Sequence, residues 1–248
     1  MMNRLKATFA GILMLNLLQL CSCQSPVVKT PPVLFTSSDS VKRSESLMIA
    51  EGYLNHRWHG EQLHIQHGPD AKGIQVDTPD ENFKPPGKSP GWWKTKATNV
   101  SIPYCWGGFD TPDSFDAALR QGKWAGDICT EKKRAMLDNA VSLQTAGIDC
   151  SGFISRCWRL SKSYSTREMP QICDPLPNWD DLKPGDALNL VNKHVLLFAG
   201  FTNPEKSEIL VYETGCPPTW KVMKHTTSVP WLKGLGYEPW RYRGIEEG

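Results

Sequence analysis

Hydrophobic and polar positions change character several times along the chain. An apolar run from Leu5 to Leu20 follows Arg4 and Lys6. At 1.5 Å per helical residue it is too short to span a bilayer and has the layout of a secretory leader. Residues 24–40 are rich in Pro, Ser and Thr with few large apolar side chains, the composition of a flexible tether. Leu47, Met48, Ile49, Tyr53 and Leu54 then recur at helical spacing, with Asp39 or Ser40 as the expected cap. From Glu61 to Lys96 the pattern breaks into short extended pieces and a Pro/Gly-rich loop ending before Trp92-Trp93. Further helices are predicted over 114–121, 131–143 and 150–160, the last with Phe153, Ile154, Cys157 and Trp158 as its apolar stripe. After the turn Lys183-Pro184-Gly185-Asp186, short apolar or alternating runs over 187–191, 195–201, 209–212, 220–223 and 237–243 read as strands. One helix followed by a meander of neighbouring strands predicts an α+β layer rather than a doubly wound parallel sheet.

The leader changes the picture of where the chain works. It closes on Leu20-Cys21-Ser22-Cys23, which resembles a bacterial lipobox, so Cys23 is the expected lipidation site and a membrane anchor the expected partner. The alternative is a plain cleaved leader. Removing residues 1–22 takes away Arg4 and Lys6 and leaves 26 basic against 26 acidic residues. With no basic run, nucleic acid is excluded as a partner class. The expected organisation is a leader over 1–22, a tether over 23–40 and one monomeric domain over 41–248. Eight cysteines in an exported chain suggest disulfides, but their spacing is no framework, and the pairing stays open.

Candidate chemistry centres on Gly147-Ile148-Asp149-Cys150-Ser151-Gly152-Phe153. A cysteine in the first turn of a helix has its thiolate stabilised by the dipole and by unpaired N–H groups, which also face a developing oxyanion. The bland reading is a core cysteine on an apolar helix. His194, at the start of a strand, is the candidate base, since imidazole takes a proton near neutral pH. Glu213, at the end of the next strand, is the candidate group to orient the imidazole; its bland reading is a solvated strand end.

These residues resemble successive landmarks of the NlpC-type, papain-like family of bacterial cell-wall cysteine peptidases. The landmarks are Tyr104-Cys105-Trp106-Gly107-Gly108, Asp149-Cys150-Ser151-Gly152-Phe153, Leu182-Lys183-Pro184-Gly185-Asp186 and Lys193-His194-Val195, so the likeness covers about residues 102–214. It implies a papain-like NlpC fold, with the Cys150 helix packed on a small antiparallel sheet, an N-terminal extension over 41–100 and an inserted helical segment over 109–146. It implies Cys150 as nucleophile, His194 as base, Glu213 as orienting group, and Tyr104, Trp106, Asp149 and Ser151 as substrate neighbours. The activity implied is hydrolysis of an amide in peptidoglycan stem peptides, typically between D-glutamate and the diamino acid, without a cofactor or metal. Two other classes stay open: a papain-like acyltransferase or lipid hydrolase, and a non-catalytic wall-binding lipoprotein. Many relatives carry histidine in the third position and lack the long insert, so Glu213 and residues 109–146 are departures from the pattern.

Outside these motifs, His56, His59, His64 and His67 cluster early and could hold a metal, but no acidic or cysteine ligand accompanies them. Most of the ten tryptophans are expected in the core or the cleft wall, Trp106 in the cleft, and Trp92-Trp93 either at substrate or anchoring their loop.

Overall fold

A computed structural model describes residues 40–84, 90–215 and 219–247. The expected leader, Cys23, all but the last residue of the tether, and Cys216 lie outside these residues. The described part falls within one compact unit. Its helices are α1 (Arg43–Asn55), α2 (Pro112–Arg120), α3 (Glu131–Met136), α4 (Cys150–Cys157) and α5 (Val229–Leu235). None of the described helices is long and apolar enough to cross a membrane.

The main sheet is built from β1 (Cys173–Pro175), β2 (Ala187–Leu190), β3 (His194–Phe201), β4 (Glu208–Thr214), β5 (Val222–Ser228) and β6 (Glu238–Tyr242). It is antiparallel throughout, in the order β5-β4-β3-β2-β6-β1. The fold is therefore α+β. Strand β3 reads as a continuous apolar run because both faces are covered. Val195 and Leu197 join Phe153, Ile154 and Cys157 of α4 and Trp158 just after it in one core, while Leu196 and Phe198 pack with Val229 and Leu232 of α5 in a second. Full burial of a side chain such as Phe153 contributes about 2–3 kcal/mol.

Helix α1 lies over α4, with Tyr53 edge-on to Phe153 at 5.6 Å between ring centres. Its cap is Lys42, not Asp39 or Ser40, and its buried face runs through Arg43, Ser46, Ile49, Ala50 and Tyr53, leaving Met48 exposed. The face is rotated because Arg43 reaches inward to Asp186 (2.9 Å), which Arg241 also clamps (2.7 Å). The Lys183–Asp186 turn thus ties the N-terminal helix to the sheet.

Helix α2 starts two residues before the expected Ser114, because Thr111 and Ser114 cap each other reciprocally with Pro112 in the first turn. The helix expected over 131–143 ends at Met136. Leu137 turns to positive φ (51°) and a 3-10 turn over Leu137–Ala140 follows. The indole N–H of Trp106 donates to the Leu137 carbonyl (3.2 Å), taking up an acceptor that the helix end leaves orphaned. The strand expected over 220–223 runs instead over 222–228, paired residue for residue with β4.

Candidate active site

Asp149 caps α4: its Oδ1 accepts from the Gly152 N–H (2.6 Å) and the Ser151 hydroxyl (2.9 Å). Cys150 is the first residue of the helix. Gly152 permits the placement, since a Cβ there would lie 2.4 Å from the Gly108 carbonyl. The Tyr104–Gly108 segment runs beside this turn through Cys105 N–H to Ile148 O (3.1 Å) and Asp149 N–H to Gly108 O (3.1 Å). Two landmarks 40 residues apart thus become one surface. Burial above all raises the Asp149 carboxyl above its ordinary range, and the helix cap offsets part of that.

Cys150 opens into a cleft of about 380 Å³, with Tyr104, Trp106, Asp149 and Ser151 also in its wall. Asp149 and Ser151 border the cleft, but their polar side-chain atoms are engaged with each other and with the cap. Asn192 and Lys193, the residues just before His194, form part of the same wall. Tyr104 is buried, and its ring lies against Gly215, where a Cβ would sit 1.7 Å from a ring carbon. Burial above all pushes the Tyr104 hydroxyl well above its usual range, so it stays protonated.

His194 opens β3 and is buried; its Nε2 donates to Glu213 Oε2 at 2.6 Å. The expected third residue is therefore in hydrogen-bond contact with the expected base. Glu213 Oε1 accepts from a second histidine, His225 Nε2, also at 2.6 Å. The ladders explain the trio. Phe198 pairs with Val211 and Val211 with His225, so His194, Glu213 and His225 share one face as diagonal neighbours on three adjacent strands. Burial alone would raise the Glu213 carboxyl, but hydrogen bonds from His194 and then His225 outweigh it and hold the group down to about 2. The hydrogen bond from Glu213 in turn raises His225.

His225 was not foreseen from sequence. A strand ending at Met223 leaves it outside the ladder; extending that strand by the alternation of Met223, His225 and Thr227 would have set it opposite Val211.

The early histidines disperse. His56 pairs with Asp116 (2.8 Å), His59 with Glu61 (3.5 Å) and His67 with Asp80 (2.8 Å), while His64 bonds the Glu61 N–H and lies against the Leu119 carbonyl. Among the described residues no group of three or more His, Cys, Asp or Glu side chains is placed to hold a metal. Trp92 and Trp93 act as anchors: their indoles donate to the carbonyls of Trp220 (2.9 Å) and Ala125 (3.1 Å). Cys105, Cys129, Cys150, Cys157 and Cys173 are free thiols. Burial pushes Cys129 up to about 11 and Cys173 up to about 12, and raises Cys105 and Cys157 as well.

Compared with protein-family models, curated proteins and solved structures, the chain matches none.

Proposed function

We propose that the protein is a cysteine peptidase of papain-like NlpC type, exported and anchored through Cys23, that hydrolyses an amide bond in peptidoglycan stem peptides. One observation carries the reading. A cysteine at the first turn of a cleft-lining helix shares that cleft with the residue preceding a histidine whose Nε2 is held by a half-buried carboxylate. His194 itself does not line the cleft; a thiol at a helix start, an imidazole and a carboxylate bonded to it are the residue types that nucleophilic acyl transfer uses, and their closeness in the fold supports the reading. The four motifs, in family order, support the substrate class.

Glu213 fixes the ring of His194 through Nε2–H, so proton transfer falls to Nδ1. Nδ1 takes the thiol proton as Cys150 Sγ attacks the carbonyl carbon. Collapse of the tetrahedral intermediate breaks the C–N bond, and the same proton leaves with the amine. Water, deprotonated by Nδ1, then cleaves the thioester, releasing the carboxylic acid and restoring the thiol. The protonated Tyr104 hydroxyl and the Cys150 N–H are the groups assigned to the oxyanion. The Glu213 carboxylate stabilises the His194 imidazolium formed in that step, since its carboxyl, held down to about 2, is ionised at neutral pH.

The test is digestion of purified muropeptides by the protein beside Cys150→Ala, with products identified by mass. The expected outcome is a single class of cleaved amide with the wild type and at least ~10⁴-fold less product with the variant. A wild-type protein whose Cys150 reacts normally with a small alkylating agent but which cuts no muropeptide would sink the substrate assignment. An acyltransferase would instead yield a product joined to an added amine or alcohol.

A further inference from the structure

The Cys150 cleft carries more positive charge than the chemistry above uses. Arg134 on α3, Arg167 after β-turn residue Thr166, and Lys193 before β3 all line it. Among the described residues none of the three forms an ion pair. Fewer acids than cations face them, and Glu168, just outside the lining, lies within electrostatic reach of Arg167. Asp149 is engaged in the helix cap, Glu168 accepts from the Ser165 N–H (2.9 Å) and hydroxyl (2.6 Å), and Asp138 alone among the lining carboxylates remains. The near-neutral chain thus lines one recess with three cations against two carboxylates, one of them turned into the helix cap.

Arg134 is also held in place. Its Nη1 donates to the Lys193 carbonyl at 3.0 Å, spanning from the inserted helix to the β2–β3 hairpin. Its neighbour Lys133 is buried against the buried Asp127, and the Thr130 hydroxyl caps the same helix at 3.2 Å. A guanidinium fixed at one nitrogen keeps its other donors in a defined direction, which suits a planar carboxylate.

We propose that Arg134, Arg167 and Lys193 form a carboxylate-binding subsite, so that the enzyme takes peptides bearing a free carboxylate near the scissile amide and discriminates against the amidated forms. This deepens the peptidase reading and rests on Cys150 being the acyl acceptor. It also gives the insert over 109–146 a role, since α3 delivers the cation that bridges the cleft. Amidation leaves shape nearly unchanged and removes only charge, so the discrimination is electrostatic and weakens with ionic strength.

The experiment compares the rates at which iodoacetate and iodoacetamide alkylate Cys150 in the full protein, with the modified residue identified by mass. The reagents differ in the charge that the subsite reads. Arg134→Gln and Lys193→Gln are each expected to lower the iodoacetate-to-iodoacetamide ratio about three- to fivefold, and about 1 M salt to collapse the wild-type ratio toward that of the variants. An unchanged ratio in both variants overturns the proposal, and because it is a ratio, a variant that slows both reagents alike counts against it too. Cleavage of a free-carboxylate stem peptide beside its amidated twin separates this claim from the one it rests on. No cleavage of either, with a ratio that responds, leaves the subsite standing and removes the substrate class. Equal cleavage of both, with a flat ratio, does the reverse.

Discussion

The part of the molecule that carries Cys150, His194 and Glu213 and the part that walls the cleft are held together differently. The first is α4 on β2–β5, apolar on both faces of the sheet and fixed by main-chain ladders, so that each polar group is positioned by its register. The segment over 61–146, which supplies much of the cleft wall, is two short helices, short ladders, isolated bridges and loops pinned by single carboxylates. Asp70 accepts the Ser142 hydroxyl (2.7 Å), Asp110 accepts the Gly147 N–H (2.8 Å), and Asp127 takes Lys133 and the Asp77 N–H (3.1 Å). The lesson is that the candidate reacting groups sit where structure is redundant, whereas the cleft wall rests on contacts that one substitution removes.

The largest expected effect falls on the wall. Burial holds the Asp127 carboxyl above the ordinary carboxylate range even with Lys133 against it, and its Oδ2 finds no donor among the described residues. Such a pair positions α3 more than it stabilises the fold. Lys133→Met should cost on the order of 3–5 kcal/mol by leaving the carboxylate uncompensated, whereas Asp127→Leu combined with Lys133→Met should recover most of it. Denaturant unfolding of both variants measures this, and equal loss in the two would break the contrast between pinned wall and laddered core.

Next in size is Glu213→Gln, which keeps the shape but removes the charge on which two histidines rest. A fall in kcat of about 10²-fold, or about 2.7 kcal/mol, is expected with the fold retained. His225 should titrate lower, because the bond from Glu213 is the main cause of its rise. The sign with pH follows from both groups. Glu213, lowered from 4.5 to about 2, contributes stability that is present above 4.5 and lost as pH falls toward 2. His225, raised from 6.5, contributes most below that value and loses its share as pH rises through its folded pKa. The stability difference between wild type and Glu213→Gln should therefore be widest between pH 4.5 and 6.5. A difference constant across that range would mean the cluster is not coupled as the geometry indicates.

The contrast also explains what sequence could reveal. Periodicity works where packing is periodic: the stripe Phe153, Ile154, Cys157 and Trp158 is fully buried, and the runs around Val195 and Val211 lie in the sheet. The His194–Glu213 contact was legible because one opens a strand and the other lies at the end of the next, and neighbouring antiparallel strands bring such ends together. His225 was hidden by ending its strand at Met223. Arg134 was invisible for another reason: its position depends on Lys133 reaching Asp127, and on Leu137 leaving the helix to meet Trp106, neither of which has a period. The shift of the α1 face had the same origin, in the long-range Arg43–Asp186 pair.

The smallest effects come from two glycines, and they divide along the same line. Gly215, at φ 92°, sits at the end of β4 with the Tyr104 ring against it, so Gly215→Ala meets both an unfavourable backbone conformation and a collision. The ring is buried and packed beside Trp220 at 5.8 Å, leaving it little room to yield, and a loss of about 1–3 kcal/mol is expected. Because Tyr104 shares the cleft with Cys150, kcat should fall along with stability. Gly234 is exposed near the end of α5, and a Cβ there meets nothing within 4 Å. Gly234→Ala should raise stability by roughly 0.5–1 kcal/mol through helix propensity and leave turnover alone. Thermal unfolding paired with initial rates on one substrate separates the two: a Gly215 variant that loses stability but keeps full activity would show that the Tyr104 ring packs the strand end without taking part at Cys150.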